Sequence, residues 1–475
     1  MSYGFKFSTR TKLMAGALAL LLAGVSHAQT TQIGGGATLP SVAYVGSNAA
    51  TTTNLQYFGT ATGTGIASGS LFGVYEAQTN YPPVSYCLTG SGAGKDVLAG
   101  GTISGNTYNV QNACAKNTNG VVTGFGADSA GLVALNEQRT DLTQPTFAAA
   151  DSPLSASDLT NYQTNHGSTS WPTQFPVIAG AIAIAFNLTD NTGAQVTSSE
   201  ANFTDSQICQ IFSRQVTTWD QVSSAFTLPA GRSIPANPIN VQFRSDGSGT
   251  SFSFSNHLAT VCGTIGGTVF ETSQNFVGAS PAVTSNFFTS APSGWTGASG
   301  NAAVAANIKA TANSVGYVET ANAIASGVGL QFADVNGTSP VTNFGTALSL
   351  VPADYVINNV INSTNASNGQ AQLQAITSPP STSCIVLVKP SVYAQPTRGG
   401  FVPSGSYPIV AVSYFLGNAQ GNESKDLTNT QNLVDAPYNS TITGSVTTVG
   451  SGKGLAFLTL GSGAFSSTAP GACLH

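Results

Sequence analysis

The sequence predicts an α/β fold with mostly parallel sheets, and two observations predict it. Near-continuous apolar runs of strand length, typical of strands covered on both faces, lie at residues 175–186, 239–243, 315–318 and 384–388. Segments with the helical spacing of apolar side chains lie between them, and Gly-, Ser- and Thr-rich stretches separate the two kinds. Strands and helices that alternate along a chain are typical of helices packed on mostly parallel sheets.

The predicted helices depend on capping signals and on helical spacing. Residues 204–212 begin with a polar cluster that suits a helix N-cap and place three apolar side chains on one face. Residues 251–261 carry a helix-compatible array of Phe, Leu and Val, and residues 301–312 are rich in alanine. The Gly-, Ser- and Thr-rich stretches that we interpret as loops are residues 59–72, 89–107, 244–250, 262–300 and 440–466.

The chain carries little charge. Only 7% of its 475 residues are charged, against about 25% in a typical soluble domain, and 14 Lys and Arg face 19 Asp and Glu for a net charge of −5. Nucleic acids and anionic membrane surfaces are bound through clustered Lys and Arg, so this composition argues against both partners. The 41% of apolar residues can build a sizeable core, and the length suits two or three domains.

The N-terminus has the features of an export signal. Residues 1–28 combine three basic side chains, a twelve-residue apolar run at 13–24, and small residues at Ser26 and Ala28. The run is shorter than the roughly twenty residues that span a bilayer, so an uncleaved anchor is the less favoured alternative. We expect a cleaved signal peptide and a periplasmic or secreted protein, without a lipid anchor because no Cys lies near the cleavage point.

The six cysteines fit an oxidising compartment. None forms a CxxC pair, so disulfides are favoured over a thiol catalyst or a metal site. Six cysteines allow fifteen connectivities. Sequence order favours Cys87–Cys114, Cys209–Cys262 and Cys384–Cys473. We expect no metal and no cofactor.

Four short segments could carry chemistry, and the first is Gly34-Gly-Gly-Ala-Thr-Leu-Pro40. The glycines suit a tight turn, with Thr38 as the N-cap of a helix and Pro40 in its first turn. A helix start of this kind leaves backbone N–H groups free to hold an anion. A plain loop-to-helix junction is the alternative.

The second segment, Thr89-Gly-Ser-Gly-Ala-Gly-Lys95, has only part of the nucleotide P-loop pattern. That motif needs Gly at its first position and Ser or Thr after the Lys, where this chain has Thr89 and Asp96. What remains is either a Gly-rich turn that offers backbone amides and the Ser91 hydroxyl or a solvated loop.

The third segment, Ala150-Asp-Ser-Pro-Leu-Ser155, places Asp151 at the end of an apolar run. A carboxylate in such a place is costly unless it is hydrogen-bonded, which makes Asp151 a candidate functional residue. Capping of the following helix is the structural alternative.

The fourth and most specific segment is Val241-Gln-Phe-Arg-Ser-Asp-Gly-Ser-Gly-Thr-Ser251, where a strand-like run ends and a helix begins. Arg244 offers a planar, permanently charged donor fork that matches a tetrahedral oxyanion. Gly249 permits close approach of the backbone, and Ser248 and Thr250 add hydroxyls at a positive helix end. A structural ion pair between Arg244 and Asp246 is the alternative.

Seven segments occur in one order along the chain: residues 34–40, 86–95, 151–155, 180–187 (Gly-Ala-Ile-Ala-Ile-Ala-Phe-Asn), 211–220 (Ile-Phe-Ser-Arg-Gln-Val-Thr-Thr-Trp-Asp), 244–250 and 315–319 (Val-Gly-Tyr-Val-Glu). Together they resemble the phosphate-binding proteins of bacterial ABC transport systems, the PstS family, and in particular its DING-type branch. The resemblance covers roughly residues 32–325, and the tail beyond about residue 420 matches poorly.

The resemblance implies a two-lobed periplasmic-binding-protein fold of type II. In that fold, hinged α/β lobes with mixed, mostly parallel sheets close on a dehydrated phosphate. The implied division of this chain is a signal peptide (1–28), the first part of lobe 1 (29–175), lobe 2 (176–330), the end of lobe 2 with the return crossover (331–410) and the C-terminal part of lobe 1 (411–475).

The resemblance also implies a ligand set. Phosphate contacts carry over to Thr38, Leu39, Ser91, Asp151, Arg244, Ser248, Gly249 and Thr250, and Asp246 would hold the Arg244 guanidinium in place. The chain on either side of Ser91 is longer than the family usually shows. Residues 58–65, which include the Thr62–Gly65 turn, therefore compete with Ser91, and residues 126–131 compete with Asp151.

The implied function is non-enzymatic capture of inorganic phosphate by a monomeric protein, either for an ABC permease or as a free scavenger. Asp151 would accept the proton of a protonated phosphate and reject sulfate, which has none. A secreted phosphatase or other ester hydrolase that uses a Ser in a Gly-rich turn is the alternative, although no GxSxG elbow surrounds Ser91 or Ser248. A third possibility is an adhesive or matrix protein, because the surface is rich in Thr, Asn and Gly.

Overall fold

The computed structural model describes residues 30–46, 55–59, 65–278, 288–325, 327–345, 348–380, 384–395, 401–403, 405–460 and 470–475. The predicted signal peptide, residues 1–28, lies outside these ranges, and so do residues 60–64 of the turn that competes with Ser91. None of the helices in the described ranges is both long and apolar enough to cross a bilayer.

The helices follow the capping and spacing signals where those signals are strong. Thr204 caps the helix that follows it through a reciprocal capping box with Gln207, and Ser248 caps the helix that begins at Gly249. The helices in the described ranges are α1 (Ser41–Val45), α2 (Leu71–Glu76), α3 (Ser91–Ala99), α4 (Ala130–Leu135), α5 (Ala156–His166), α6 (Asp205–Phe212), α7 (Gly249–Val261), α8 (Asn301–Ala310), α9 (Thr320–Ile324), α10 (Pro390–Tyr393), α11 (Leu427–Asp435) and α12 (Ser440–Thr443).

The four predicted strands are confirmed, since the apolar runs overlap strands at Pro172–Asn187, Asn240–Arg244, Ser314–Glu319 and Val386–Val388. The strands in the described ranges are β1 (Gln32–Gly35), β2 (Gln56–Phe58), β3 (Val84–Cys87), β4 (Gly101–Ile103), β5 (Asn106–Tyr108), β6 (Ala148–Ala150), β7 (Pro172–Asn187), β8 (Asn202–Phe203), β9 (Asn240–Arg244), β10 (Trp295–Ala298), β11 (Ser314–Glu319), β12 (Gln331–Phe332), β13 (Asp334–Val335), β14 (Leu348–Leu350), β15 (Tyr355–Ile357), β16 (Asn359–Thr364), β17 (Ala371–Ala375), β18 (Val386–Val388), β19 (Val410–Asn418) and β20 (Leu455–Leu460).

The long strand β7 joins two parts of one mixed sheet, whose strand order is β10-β9-β11-β7-β19-β6. Residues 172–181 of β7 pair with β19, and residues 182–187 pair with β11. A separate sheet of order β1-β3-β2 lies in the N-terminal part of the chain. The partner of β7 therefore changes between Ala181 and Ile182, at the middle of the strand.

The expectation of mostly parallel sheets is wrong for the described strands, although the sheets are mixed as predicted. Nine of the fourteen strand pairings are antiparallel. The main reason is β7, because β11, β12, β19 and β20 all run antiparallel to it. Apolar runs reveal that a strand is buried on both faces, but they carry no information on its direction.

Several predicted loops contain regular structure. Residues 89–107 hold α3, β4 and β5, residues 262–300 hold β10, and residues 440–466 hold α12 and β20. The predicted loop at 59–72 overlaps the start of α2. In α3 the glycines serve close packing, since a Cβ at Gly94 would lie 2.6 Å from the Cα of Gly36. Glycine content alone therefore misidentified these segments.

Two aromatic clusters form part of the hydrophobic core. The first contains Tyr44, Phe72, Tyr86, Phe147 and Phe415, and the second contains Phe212, Phe254, Phe276, Trp295 and Tyr317. Each cluster supplies a tyrosine hydroxyl that fixes a chain segment. Tyr86 donates to the Ala37 carbonyl at 2.8 Å, and Tyr317 accepts from the Arg244 N–H at 3.1 Å.

The disulfides are the three that sequence order favoured: Cys87–Cys114, Cys209–Cys262 and Cys384–Cys473. The first anchors the end of β3, directly before the Thr89–Lys95 segment, and the second joins α6 to the residue that follows α7. The third ties the C-terminus to the body of the protein. Each cross-link of this kind typically contributes about 2–4 kcal/mol to stability.

Candidate functional site

The segment after β1 is shaped by the close approach of its backbone to β6. Gly36 has a φ of +128°, and a Cβ at this position would lie 2.0 Å from the carbonyl oxygen of Ala149. The Ala37 N–H donates to that same oxygen at 2.9 Å. Only glycine fits at position 36, and the turn it makes leaves Thr38 and Leu39 buried.

Thr38 is not the helix N-cap that the sequence predicted. Helix α1 begins at Ser41, with Pro40 in the N-cap position and no capping bond from a side chain. The Thr38 hydroxyl instead accepts a hydrogen bond from Nδ2 of Asn301 at 3.3 Å. The Thr38 hydroxyl is therefore engaged in a tertiary contact instead of a local capping bond.

Ser91 joins two distant parts of the chain. It is the first residue of α3 and follows Gly90, whose φ is +90°. Its hydroxyl accepts from the Asp151 N–H at 2.9 Å and from the Gly249 N–H at 3.3 Å, and it lies 3.3 Å from Oδ2 of Asp151. The structure thus brings the Ser91 turn to the same place as Asp151.

Asp151 follows β6 and is only 1% exposed. Its Oδ2 accepts from the Ser91 hydroxyl and from the Leu39 N–H at 3.4 Å, whereas Oδ1 receives no hydrogen bond from the described residues. Burial raises the pKa of Asp151 to about 7. The nearby hydroxyl of Ser413, which is itself paired with Tyr44, and the charge of Arg244 oppose that rise only in part.

The structural alternative for Asp151 does not hold, because Ser155 caps α5 through a capping box with Asp158. The segment that competed with Asp151, residues 126–131, has its aspartate, Asp128, exposed to solvent. Asp151 is therefore a buried carboxyl without a capping role.

Arg244 ends β9 and is 2% exposed. Its Nε and Nη2 donate to the two carboxylate oxygens of Asp246, at 2.7 and 2.5 Å, and the Gly300 N–H donates to the same carboxylate at 3.0 Å. Its Nη1 donates to the Thr250 hydroxyl at 3.2 Å. The ion pair with Asp246 thus exists as predicted, and it fixes one edge of the guanidinium while the other edge faces Thr250.

The start of helix α7 packs directly on Asp151. Ser248 caps the helix by accepting from the Ser251 N–H at 3.0 Å, and Ser248, Gly249 and Thr250 are all buried. A Cβ at Gly249 would lie 2.3 Å from the Cβ of Asp151. Glycine is therefore required for the positive end of the α7 dipole to approach the end of β6.

Asn301 lies at this site and was not predicted. It is the first residue of α8 and is fully buried. Its Nδ2 donates to the hydroxyls of Thr38 and Thr250, at 3.3 and 3.1 Å, and its Oδ1 accepts from the Glu319 N–H at 3.1 Å. An Asn at the start of an alanine-rich helix carries no recognisable signal in the sequence, because its partners are distant along the chain.

Glu319 is a second buried carboxyl beside the site. Its two oxygens accept from the N–H groups of Ala321 and Asn322, at 2.7 and 2.9 Å, and burial raises its pKa to about 8, with a further contribution from Asp151. The residue ends the Val315–Glu319 motif, so the sequence singled out the segment without assigning the carboxyl a role.

The predicted residues therefore converge from four segments of the chain, after β1, at the start of α3, after β6 and between β9 and α7. One guanidinium, several hydroxyls and the N-terminus of α7 supply hydrogen-bond donors, and Asp151 supplies an acceptor. Among the described residues, no histidine forms a hydrogen bond with the hydroxyl of Ser91 or of Ser248. Such a set can hold a tetrahedral oxyanion that carries one proton.

Comparison with known proteins connects this geometry to a family. The family model described as a PBP superfamily domain matches residues 46–425, which is most of the chain. The site residues from Ser91 to Asn301 all lie within the matched region.

Relatives of known name include both phosphate-binding proteins and proteins called phosphatases. Alkaline phosphatase L of Pseudomonas aeruginosa is 29% identical over 269 residues, which is 56% of this chain and 58% of the relative. Phosphate-binding protein PstS 3 of Mycobacterium leprae is 28% identical over 278 residues, with 56% and 66% covered. Phosphate-binding protein PstS of Xylella fastidiosa is 33% identical over 178 residues, with 38% and 41% covered. The chain thus matches less than two thirds of the length of each of these relatives.

Solved structures with a similar fold include a phosphate-binding protein from Stenotrophomonas maltophilia, with a TM-score of 0.50 and 21% identity over 86% of this chain and 84% of that one. A high-affinity periplasmic phosphate-binding protein called PfluDING has a TM-score of 0.50 and 19% identity, with 91% of both chains covered. At these identities the likeness concerns the fold, and it agrees with the fold that the seven sequence segments predicted.

Proposed function

The chain belongs to the PBP superfamily, and from this membership we propose that it captures inorganic phosphate outside the cytoplasm. The proposed ligands are the residues that the sequence predicted: Thr38, Leu39, Ser91, Asp151, Arg244, Ser248, Gly249 and Thr250. As a periplasmic or secreted protein it would deliver phosphate to an ABC permease or hold it as a scavenger. The PstS relatives support this assignment, since their names describe phosphate binding.

The observation that carries the proposal is the half-satisfied carboxyl of Asp151. Its Oδ1 is buried and receives no hydrogen bond from the described residues, while Oδ2 is held by Ser91 and Leu39. A buried oxygen of this kind is costly unless a ligand supplies a donor. Monohydrogen phosphate has one such proton, and its remaining oxygens can accept from the donors around them.

The charge balance of the site also suits a phosphate ion. The Arg244 charge is largely compensated by Asp246, so the remaining attraction comes from Nη1, the hydroxyls and the positive end of α7. Charge-assisted hydrogen bonds from neutral donors to an anion are roughly twice as strong as neutral ones. A net acidic protein can thereby bind a doubly charged anion without a basic pocket.

We further propose that the lobes are those predicted from the sequence, with lobe 1 at 29–175 and 411–475, lobe 2 at 176–330, and the end of lobe 2 with the return crossover at 331–410. The change of partner in β7 between Ala181 and Ile182 supports a hinge within this strand, six residues after the predicted boundary at residue 175. Val410, at the start of β19, pairs with Ala181, which supports a second crossing between the lobes beside the one in β7. Rotation about such paired strands would open and close the site.

We infer binding without turnover. In the serine mechanism a hydroxyl needs a base within hydrogen-bonding distance to become a nucleophile. Asp151 lies close enough to act as that base for Ser91, but the Ser91 oxygen already accepts from the N–H groups of Asp151 and Gly249, so both of its lone pairs are used and none is free for attack. The Ser248 hydroxyl is occupied as the cap of α7. Because a relative is called alkaline phosphatase L, the purified protein should also be assayed with a phosphomonoester, with and without a chelator.

Isothermal titration of the purified mature protein with phosphate, sulfate, arsenate and a phosphomonoester tests the proposal. We expect tight one-to-one binding of phosphate, much weaker binding of sulfate, and no hydrolysis of the ester. Thermal unfolding provides a second readout, since a ligand at about 100 times its Kd should add roughly 2.7 kcal/mol of stability. Absence of any heat or thermal shift with millimolar phosphate would contradict the proposal and favour an adhesive or matrix role.

A further inference from the structure

Asn301 contacts hydroxyls from two segments of the proposed phosphate site that are far apart in the sequence. Thr38 follows β1 and Thr250 lies in the first turn of α7, and the Asn301 Nδ2 donates to both hydroxyl oxygens. All three side chains are buried, with Thr250 and Asn301 completely inaccessible to solvent. The two protons of one amide group are thus sufficient for these two hydrogen bonds.

The orientation of the Asn301 amide is fixed by the main chain. Its other atom, Oδ1, lies 3.1 Å from the backbone nitrogen of Glu319, and a backbone N–H can only donate. The oxygen must therefore face Glu319, which turns the amino group toward the threonines. This assignment follows from the hydrogen-bond pattern and does not depend on locating the hydrogen atoms.

A fixed amide determines the direction of the hydroxyl protons. The Thr250 oxygen accepts from Asn301 Nδ2 and from Arg244 Nη1, so both of its lone pairs are used. Its own proton must then be donated to another group. The Thr38 oxygen likewise accepts from Asn301 and has its proton free to donate.

We propose that Asn301 is a positioning residue that sets the Thr38 and Thr250 hydroxyls as donors toward the bound anion. The inference depends on the proposed phosphate function. Asn301 would act through the two threonines, because both protons of its amino group are already engaged. Hydroxyls that are held as donors would match the acceptor oxygens of a phosphate ion, with Asp151 left to receive the ligand proton.

A double-mutant cycle on phosphate affinity tests this role. Asn301→Ala removes the donor, and we expect a loss of about ten- to a hundredfold in affinity, since hydrogen bonds to charged groups contribute about 1.5–3 kcal/mol. In a Thr250→Val background the same substitution should cost at least about fivefold less, because one of the hydroxyls through which it acts is gone. Equal losses in both backgrounds would overturn the inference.

Asn301→Asp keeps the shape of the side chain and guards against a variant that fails to fold. The new carboxylate still accepts from the Glu319 N–H, but it also accepts the hydroxyl protons of Thr38 and Thr250, which are then not available to phosphate. The phosphate affinity relative to wild type should therefore be low at pH 8. It should recover in part toward pH 5.5, where a protonated Asp can donate again. An affinity ratio that does not change with pH would contradict the proposal.

Asn418→Ala is the matched control for loss of a buried amide. Asn418 is also fully buried. Its side-chain amide donates to the Pro145 carbonyl at 3.0 Å and accepts from the Tyr162 hydroxyl at 2.9 Å. We expect it to lower stability without changing phosphate affinity. If wild type binds no phosphate, both the function and this inference fail, whereas phosphate binding with an uncoupled cycle overturns the inference alone.

Discussion

Gly92 and Gly247 are in backbone contact at the candidate site, although 155 positions separate them in the sequence. The Gly92 N–H donates to the Gly247 carbonyl at 2.9 Å. A Cβ at Gly92 would lie 3.2 Å from the Cα of Gly247, and a Cβ at Gly247 would lie 3.3 Å from the Cα of Gly92. The starts of α3 and α7 therefore meet backbone to backbone, which fixes how closely the two halves of the site approach.

Adding a methyl group at Gly249 tests how closely the two halves of the site must approach. In Gly249→Ala the new Cβ would overlap Asp151, at 2.3 Å from its Cβ, and the backbone of Asp151 cannot move aside easily. We expect phosphate affinity to fall by about a hundredfold while the fold is retained, because the two halves can separate instead of unfolding.

Gly247→Ala is the graded control for this experiment. The new Cβ would lie 3.3 Å from the Cα of Gly92, and a shift of a few tenths of an ångström relieves this contact. The loss of phosphate affinity should therefore be much smaller than in Gly249→Ala. Titration calorimetry gives the affinities and circular dichroism checks the fold. Equal affinities for the two variants would show that closure of the site is not limited by these contacts.

Asp151→Asn should relax the discrimination against sulfate. The asparagine amide can donate to an oxygen that carries no proton, so we expect the ratio of the sulfate Kd to the phosphate Kd to fall by at least about tenfold. Competition calorimetry with the two anions measures the ratio. Comparable sulfate rejection in wild type and variant would remove Asp151 from this role.

The raised pKa of Asp151 adds a pH dependence to the same experiment. Since its pKa is about 7, the carboxyl of the free protein is protonated at pH 6 and ionised at pH 8. A protonated carboxyl can donate to sulfate, so wild type should bind sulfate more tightly as pH falls through 7. The amide that Asp151→Asn introduces does not titrate, so the sulfate affinity of this variant should stay flat over the same range.

Local sequence patterns predicted only the contact of the site whose partners are close in sequence, the pairing of Arg244 with Asp246 two residues on. Thr38, Leu39, Ser91 and Asp151, whose partners are distant, were grouped with it through the family resemblance. The roles of Thr38 and Asn301 could not be predicted, because they depend on contacts between residues 263 positions apart. Local capping rules gave Thr38 the wrong partner for the same reason.

The same contrast between local patterns and long-range contacts applies to the fold. Buried strands such as β7 were found because their apolar runs are continuous, but the direction of their neighbours depends on the path of the whole chain. Helix α3 was missed because Gly90, Gly92 and Gly94 have low helix propensity. These glycines are instead required by tertiary packing, because a Cβ at each of them would lie too close to Asp246, Gly247 or Gly36, respectively. Composition can detect the glycines but cannot tell such packing from a flexible loop.

Arg244→Lys should abolish most phosphate binding, although it keeps the charge. An ammonium group cannot make the paired contact with Asp246 and also reach Thr250, so the partly buried Asp246 carboxylate loses one of its partners. We expect a loss of about a hundredfold or more in affinity.

Arg232→Lys provides the control for an Arg-to-Lys change elsewhere in the protein. Arg232 pairs with Asp190 and with Glu200, and neither partner belongs to the candidate site. We expect its phosphate affinity to stay within about twofold of wild type, since distant substitutions act independently. If Arg244→Lys behaved like this control, Arg244 would not contact the ligand.

Glu319 should make the ligand-free protein less stable as pH rises. Its pKa is about 8 in the folded protein and has a reference value of 4.5, so the folded state holds the proton more tightly than the unfolded chain does. Its contribution to stability is therefore complete below about pH 4.5 and is lost as pH rises toward 8.

Glu319→Gln removes this titration but keeps an oxygen that can accept from the Ala321 N–H. In urea unfolding without phosphate, we expect wild type to lose more stability than Glu319→Gln between pH 6 and pH 9. Asp151→Asn serves as the comparison: Asp151 titrates around pH 7 and is mostly ionised by pH 8, so this variant should keep most of the wild-type loss of stability between pH 7.5 and pH 9. The same slope for wild type and Glu319→Gln above pH 7.5 would mean that Glu319 is already ionised in the folded protein, held by the N–H groups at the start of α9.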